Sequence, residues 1–459
     1  MKSRRFTTVV ATLALALVAC TSHAPQEDRY TGYPEGQVFL DLLQRRSVAF
    51  SNGDERAWLA DVDPSQAQVV EHERMVFRNL RQLGAEQVQF RPEPPYVQVC
   101  SRTLLPVPGR PAPVKVCRYE VLRIMSLPGD LDTAMTRYTY MVAKVGNRAM
   151  LVDAQPAGGA TRPGNPASKT GGANGMASGE HRDQPWDLVP LRVASRGSVV
   201  VAAPEASRWN PADYVASADK AARQVIRLWG KHERPRKFLL LLATEEEAVT
   251  WFEAGESKHA LATTLFVAKW HSISDRIDPN ESQNSVAARI VMRMERIEPA
   301  EVYQVLVHEI AHAISTPYYG PGILGAIGAE FARPDWAVEG FARWVETAVG
   351  ADPSLGHLEA AMSWGRKRGL LTGALPENKK FYADNAARTS FNYELGATVF
   401  EAVARQPGGR RKAVDVYLDL LGSVASFNTS IGSVALSMDR YHIDQNSFMR
   451  AWRQTTGLA

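Results

Sequence analysis

The 459-residue sequence lacks several features that would assign it to a common functional class. Its formal net charge is only +4 and no basic block stands out, so composition gives no case for nucleic-acid binding. It has neither a glycine-rich phosphate loop nor the Gly-x-Ser-x-Gly turn that presents the nucleophile of many hydrolases. Its N-terminal apolar stretch, residues 9–19, is too short to span a bilayer by itself. The apolar fraction is ordinary, and the length suits two globular domains.

Cysteine is scarce, with three residues in the chain, and the first lies at the end of the apolar stretch. A basic segment followed by a short apolar run is typical of an export signal. The stretch ends in Leu17-Val18-Ala19-Cys20, which resembles the lipobox of bacterial lipoproteins. The resemblance implies a signal peptide over residues 1–19. It also implies a lipid on Cys20 that anchors the protein to the cell membrane, facing outside the cytoplasm. The alternative is an ordinary signal peptide and a secreted protein.

The other two cysteines, Cys100 and Cys117, flank a proline-rich segment between two strand-like runs. Because an exported protein folds where disulfides persist, we predict a cross-strand disulfide between them. A loop of this size contributes about 3 kcal/mol to stability in the chain-entropy description. Two unpaired buried thiols are the alternative.

The first half of the sequence changes from a helical to a strand-like pattern. Apolar residues fall at helical spacing over residues 36–83, and Gly146-Asn147 separates two later strand-like runs as a tight hairpin would. Helices followed by antiparallel strands predict an α+β fold. Three segments are similar to the NTF2-like modules of exported actinobacterial proteins, which implies an NTF2-like domain over residues 36–154. They are Leu42-Leu43-Gln44-Arg45-Arg46, Asn52-Gly53-Asp54 and Phe77-Arg78-Asn79-Leu80.

Two polar stretches lie on either side of this domain. Residues 20–35 indicate a tether, and residues 155–185, rich in Gly, Ala, Pro and Ser, predict a flexible linker. For the NTF2-like domain a structural or partner-binding role is favoured over a small-molecule pocket, because no convergent set of catalytic groups is visible. A second domain then covers residues 186–459, with strand-like and helical runs before residue 335 and mainly helical patterns after it.

The strongest motif is Val307-His308-Glu309-Ile310-Ala311-His312, within a predicted helix. One turn separates the histidines, so both imidazoles project from one face and can take adjacent corners of a zinc tetrahedron. Glu309 can take a proton from a zinc-bound water without binding the metal, as a general base does. The rest of the helix is almost entirely apolar and must be buried, where these side chains are costly unless they pair or bind a metal. We predict a Zn²⁺ site with His308 and His312 as ligands.

A catalytic zinc ion needs a third protein ligand. The metzincin pattern fails, because Ser315 and Tyr318 stand where it requires Gly and His. The segment Asp335-Trp336-Ala337-Val338-Glu339-Gly340-Phe341-Ala342-Arg343 resembles the second zinc helix of gluzincins, the peptidase MA type. This resemblance implies Glu339 as the third ligand. Asp335 would be the N-cap of that helix and the next candidate ligand.

The gluzincin resemblance implies further features. Gly340 would pack closely against the first zinc helix, and residues 288–297 would form an edge strand that binds substrate backbone. Tyr393, in Asn392-Tyr393-Glu394-Leu395-Gly396, stands where many gluzincins place a phenol that stabilises the oxyanion. A tyrosine packed in a helical core is the alternative. Arg343 departs from the family, because thermolysin-like members place there an Asp that orients a zinc-bound His.

This departure leaves the partner of the zinc-binding histidines open, with Asp384 or Asp335 as candidates. Glu346 is predicted to be an ordinary surface carboxylate. Other histidines lie outside any ligand spacing and are predicted to be surface or structural residues, such as His259, His271 and His357.

Together these features predict an exported, lipid-anchored zinc metallopeptidase acting on a peptide or protein substrate. The chain has no Gly-x-Met-Glu-Asn segment of the kind that M1 aminopeptidases use to hold a substrate amine, which favours an endopeptidase. One alternative is a non-catalytic zinc-containing surface protein, although structural zinc needs no base such as Glu309. Another is a hydrolase of a different bond, such as a small amide, which would not require an edge strand.

Overall fold

The computed structural model describes residues 34–93, 98–100, 116–145, 148–156, 184–252, 260–268, 285–318, 334–351, 355–382, 385–422 and 438–458. The predicted signal peptide, the tether up to residue 33, residues 157–183 of the linker and Gly146-Asn147 lie outside these residues. The predicted α+β class is confirmed, with helices and a separate sheet in each half of the chain. Among the described helices, none has the length and apolar character needed to cross a membrane.

Three helices and a five-stranded antiparallel sheet form the first half, in the predicted order. The helices are α1 (Pro34–Ser51), α2 (Glu55–Leu59) and α3 (Ala67–Leu83). The strands are β1 (Glu86–Pro92), β2 (Gln98–Cys100), β3 (Val116–Ser126), β4 (Ala134–Val145) and β5 (Arg148–Pro156). The sheet runs β1-β3-β4-β5, and β2 also pairs with β3. Val145 lies opposite Arg148, the register that a two-residue hairpin requires.

The register of β2 and β3 is compatible with the predicted disulfide, which stays a prediction. Cys100 lies directly opposite Cys117. Directly opposed residues of antiparallel strands have Cα atoms about 4.5–5.5 Å apart, a separation that a disulfide spans. We expect a maleimide to label neither cysteine in the unfolded, unreduced protein and both after reduction. In the control variant Cys100→Ser, Cys117 should be labelled without reductant. Labelling of Cys100 in the unreduced parent protein would exclude the bridge.

A mixed five-stranded sheet and a mainly helical C-terminal part form the second half. The sheet runs β6-β7-β8-β10-β9, with β7, β8 and β10 parallel and both outer strands antiparallel to their neighbours. The strands are β6 (Leu191–Arg196), β7 (Val199–Pro204), β8 (Phe238–Ala243), β9 (Ala262–Ala268) and β10 (Ser285–Arg293). The helices are α4 (Pro185–Leu188), α5 (Pro211–Trp229), α6 (Glu245–Phe252), α7 (Val302–Ile314), α8 (Asp335–Ala348), α9 (Leu355–Lys367), α10 (Asn378–Phe381), α11 (Ala386–Ala404), α12 (Gly409–Gly422) and α13 (Gln445–Thr456).

The prediction that residues 288–297 form an edge strand is wrong. Most of them lie in β10, which pairs with β8 on one side and β9 on the other. Among the strands that the structure describes, β9 is at the edge instead. The alternation of apolar residues in β10 indicated which faces are buried, but it carries no information on whether a strand has one neighbour or two.

The two halves pack together across the second sheet. Alternate side chains of β7 and β8, including Val201 and Leu240, pack against α5 and α7, whereas Val200 and Leu239 share a core with the first half. A buried ion pair joins the halves: Arg123 of β3 donates to both oxygens of Asp187, at 2.7 and 2.8 Å. The first half therefore covers the sheet face opposite α5 and α7.

The interior of the first half is largely filled. Arg46 is fully buried, lies over the ring of Trp58 at 3.9 Å and pairs with Glu73. The cavity beside Trp58, Arg123 and Asp187 measures about 10 Å³, roughly the space that one water molecule needs.

Candidate metal centre

Helix α7 carries His308, Glu309 and His312 into the interior of the second half. Apart from His308, Glu309 and His312, its side chains from Val305 onward are apolar and buried, so it is held by packing on several sides. It contacts α5, α8 and the edge strand β9. Ser315 ends the helix, and its hydroxyl donates to the carbonyl of His312 at 2.6 Å.

Three donor atoms from α7 and α8 converge on one point. His308 Nε2 lies 3.1 Å from His312 Nε2, and each lies 3.3 Å from Oε2 of Glu339. A tetrahedral ion with ligand bonds of about 2.0–2.1 Å holds its ligand atoms about 3.3 Å apart. The triangle therefore has the size of one face of such a coordination shell. The structure thus brings together the three residues that the sequence predicted as ligands.

The hydrogen bonds around this triangle also suit a cation. His308 Nδ1 lies 2.7 Å from Glu346 Oε1, and donation there leaves the lone pair of a neutral ring on Nε2. Burial lowers the pKa of His308, but the carboxylates of Glu339 and Glu346 outweigh it and raise the pKa to about 10. Burial acts to raise the pKa of Glu339, and the two imidazoles outweigh it and hold the pKa well below its usual value. The site therefore favours positive charge between these groups, supplied by a proton or by a metal ion.

Glu346 is the buried partner of His308, and its prediction as a surface carboxylate is wrong. It is 3% exposed, and Gln304 Nε2 donates to its Oε2 at 2.6 Å. Arg343 pairs with Glu346 and donates to Oε1 of Glu394 on α11 at 2.7 Å. Arg343 therefore holds the carboxylate that lies against His308.

The other candidates do not join the three donors. Asp335 is the first residue of α8, with Pro334 at the N-cap, and the converging group does not include it. Burial and then the charge of Glu339 raise the pKa of Asp335 to about 7. Asp384, His259 and His271 lie outside the described residues, and His357 is exposed on α9.

Glu309 is held by the edge strand. Its side chain is 5% exposed, and Thr264 Oγ1 of β9 donates to its Oε2 at 2.6 Å. Thr264 could not be predicted from the sequence, because a threonine in a short strand has no distinctive spacing. This contact holds the carboxylate next to His308, the residue that precedes it in the chain.

Two tyrosines lie over the three donors. Tyr393 of α11 stacks against His308, with ring centroids 5.9 Å apart and an interplanar angle of 24°. Burial and then the charge of Glu339 raise the pKa of Tyr393 well above its usual value, so the phenol stays protonated. Tyr382, which the sequence analysis missed, donates its hydroxyl to Oε1 of Glu339 at 2.6 Å. The predicted site tyrosine therefore lies beside the ligands.

A pair of glycines sets the position of Tyr393. A Cβ on Gly340 would lie 2.4 Å from the carbonyl carbon of Gly396, and one on Gly396 would lie 2.3 Å from the carbonyl oxygen of Trp336. Gly340 thus allows α8 to approach α11, and the prediction of close packing against α7 is wrong. A glycine indicates that a close approach is possible, but not which helix makes it. Tyr393 precedes Gly396 by three residues, so this contact brings its ring to the site.

The chain matches no protein-family model, and no curated protein matches its sequence. A function is therefore inferred from the converging donors, the adjacent carboxylate and the two phenols.

Proposed function

We propose that this protein is a zinc-dependent peptidase of the gluzincin type. His308, His312 and Glu339 are the zinc ligands, and Glu309 is the general base. The observation that carries the proposal is the triangle of donor atoms, whose sides of 3.1, 3.3 and 3.3 Å suit tetrahedral zinc. The carboxylate of Glu346 on the far nitrogen of His308 supports it, because zinc-binding histidines usually donate their second nitrogen to such a group. Three protein ligands leave a fourth position for water, as catalytic sites require.

A zinc ion held here would lower the pKa of a water molecule and polarise the carbonyl group of a substrate. Glu309, fixed by Thr264, takes the proton from the attacking water and delivers it to the leaving amine. Tyr393 donates from its neutral hydroxyl to the oxygen on which negative charge develops. Glu346 holds the ring of His308 in the orientation that presents Nε2.

The substrate that we propose is an extended peptide. Strand β9 lies at the edge of the second sheet and carries Thr264, the residue in contact with Glu309. A peptide pairing with this strand would have its backbone beside the base. We further propose that the first half is an NTF2-like module with a structural role. The lipid on Cys20, which would place the reaction outside the cytoplasm, stays a prediction from the sequence.

We expect protein without its signal peptide to bind about one zinc ion per chain and to cleave members of a peptide library. Chelation should abolish cleavage, and added zinc should restore it. Glu339→Ala should reduce zinc to background by elemental analysis, because it removes one corner of the triangle. The matched control is Glu359→Ala, which removes an exposed carboxylate on α9.

Two outcomes would count against this proposal. Full zinc content in Glu339→Ala would exclude that residue as a ligand. Zinc-loaded parent protein that cleaves no peptide would favour the alternative of a zinc-containing binding protein.

A further inference from the structure

Tyr382 is anchored beside the proposed zinc site. It follows the short helix α10, whose Phe381 is fully buried. Asn392 of α11 donates through Nδ2 to the carbonyl oxygens of Lys380 and Phe381, at 3.2 and 2.8 Å. The Tyr382 side chain is 51% exposed, yet its hydroxyl reaches inward to Glu339. The backbone before this tyrosine is therefore tied to the same helix that carries Tyr393.

The two oxygens of Glu339 have different partners. Oε2 lies 3.3 Å from Nε2 of both histidines, whereas Oε1 accepts the hydroxyl of Tyr382 at 2.6 Å. Terminal torsions of glutamate are broad, so a carboxylate without a partner on its second oxygen can turn. It could then offer both oxygens to one cation. The phenol opposes this rotation and leaves a single oxygen facing the imidazoles.

The hydroxyl of Tyr382 has one proton to donate, and it donates that proton in the hydrogen bond to Glu339. The ring of Tyr382 is close to that of Tyr393, with centroids 6.5 Å apart. In the proposed function Tyr393 is the phenol assigned to the substrate, whereas Tyr382 acts through the ligand carboxylate.

We propose that Tyr382 is a positioning residue that fixes Glu339 as a one-oxygen ligand of the metal ion, an inference that rests on the proposed function. Residues that hold metal ligands typically alter metal affinity by about 10–100-fold when they are replaced. Because Tyr382 is half exposed and the carboxylate itself remains, we expect an effect near the lower end of this range.

The test compares Tyr382→Phe with the parent protein and with Tyr214→Phe, which removes a phenol hydroxyl from α5. Zinc affinity is measured by competition with a chromophoric chelator, and visible absorption is measured after cobalt substitution. We expect Tyr382→Phe to bind zinc about tenfold more weakly. Its cobalt absorption should become less intense, as expected when a second carboxylate oxygen raises the coordination number. Thermal unfolding of the metal-free variant should match that of the parent protein. The Tyr214→Phe control should match the parent protein in each measurement.

The outcomes separate this inference from the proposed function. Equal zinc affinity and equal cobalt spectra in Tyr382→Phe and the parent protein would overturn the positioning role. Unchanged affinity with a large loss of kcat at saturating zinc would also overturn it, because Tyr382 would then act on the substrate. A parent protein that binds no zinc would overturn the proposed function itself.

Discussion

Replacing Glu309 with glutamine is expected to lower kcat by about 10²–10⁴-fold while leaving zinc bound. The amide is nearly the same shape as the carboxylate, but it cannot accept a proton at neutral pH. Thr264 can still donate its hydroxyl to the amide oxygen, so the contact between β9 and α7 should persist. Zinc content should not fall, because Glu309 contributes no atom to the group of converging donors.

The measurement combines cleavage of the best library peptide with elemental analysis of the same sample. Glu301→Gln is the matched control, because it makes the same change at an exposed position just before α7. The control should retain both zinc and activity. Equal kcat in Glu309→Gln and parent protein would refute the role as base. Lost zinc in that variant would show that the substitution disturbs the ligands and that Glu309 is not independent of them.

The sequence could predict those parts of the site that depend on local geometry. His308, Glu309 and His312 lie in one helix, and the spacing of a helix places the two histidines on one face whatever surrounds them. Most helices and strands were predictable for the same reason, because apolar periodicity depends on neighbours in the chain. Glu339 was predicted as a ligand because a single segment resembles a known zinc helix. Its approach to the histidines depends on tertiary packing, which spacing does not report.

The remaining parts depend on contacts between elements that are distant in the chain. Thr264 lies more than 40 residues before Glu309, which it contacts, and Tyr382 lies more than 40 residues after Glu339. Each of the two reaches the site through a single hydroxyl. The edge position of β9 depends on strand order, which apolar alternation does not report. The close contact at Gly340 likewise depends on which helix packs against α8 there. None of these relations has a signature in spacing.

The position of Glu346 depends both on local helix spacing and on contacts with elements that are distant in the chain. It lies two turns after Glu339, so the two carboxylates share one face of α8, although the family pattern directs attention to the position one turn after it. Residue 343 is an arginine, and its guanidinium joins Glu346 to Glu394 within the interior. In the proposed gluzincin site, a longer carboxylate farther along the helix takes the place of the short one that thermolysin-like members have near the ligand. A buried carboxylate of this kind is retained at a cost in desolvation that its hydrogen-bond donors must offset.

Replacing Glu346 with alanine is expected to weaken zinc binding by about 10–100-fold. The change removes the acceptor for His308 Nδ1 and leaves Gln304 and Arg343 without their shared partner. Glu346→Gln keeps an acceptor oxygen but removes the charge that favours donation from Nδ1. It should therefore lie between alanine and the parent protein in a chelator-competition assay.

The matched control for this comparison is Glu401→Gln, which neutralises a glutamate paired with Arg405 on α11. Its zinc affinity should equal that of the parent protein, because the solvent-accessible pair with Arg405 contributes little and the amide oxygen can still accept the indole N–H of Trp344. Equal weakening in the alanine and glutamine variants would mean that the charge of Glu346 matters and its hydrogen bond does not. Unchanged affinity in both would refute the role of Glu346, because an imidazole held only by packing would then present Nε2 equally well.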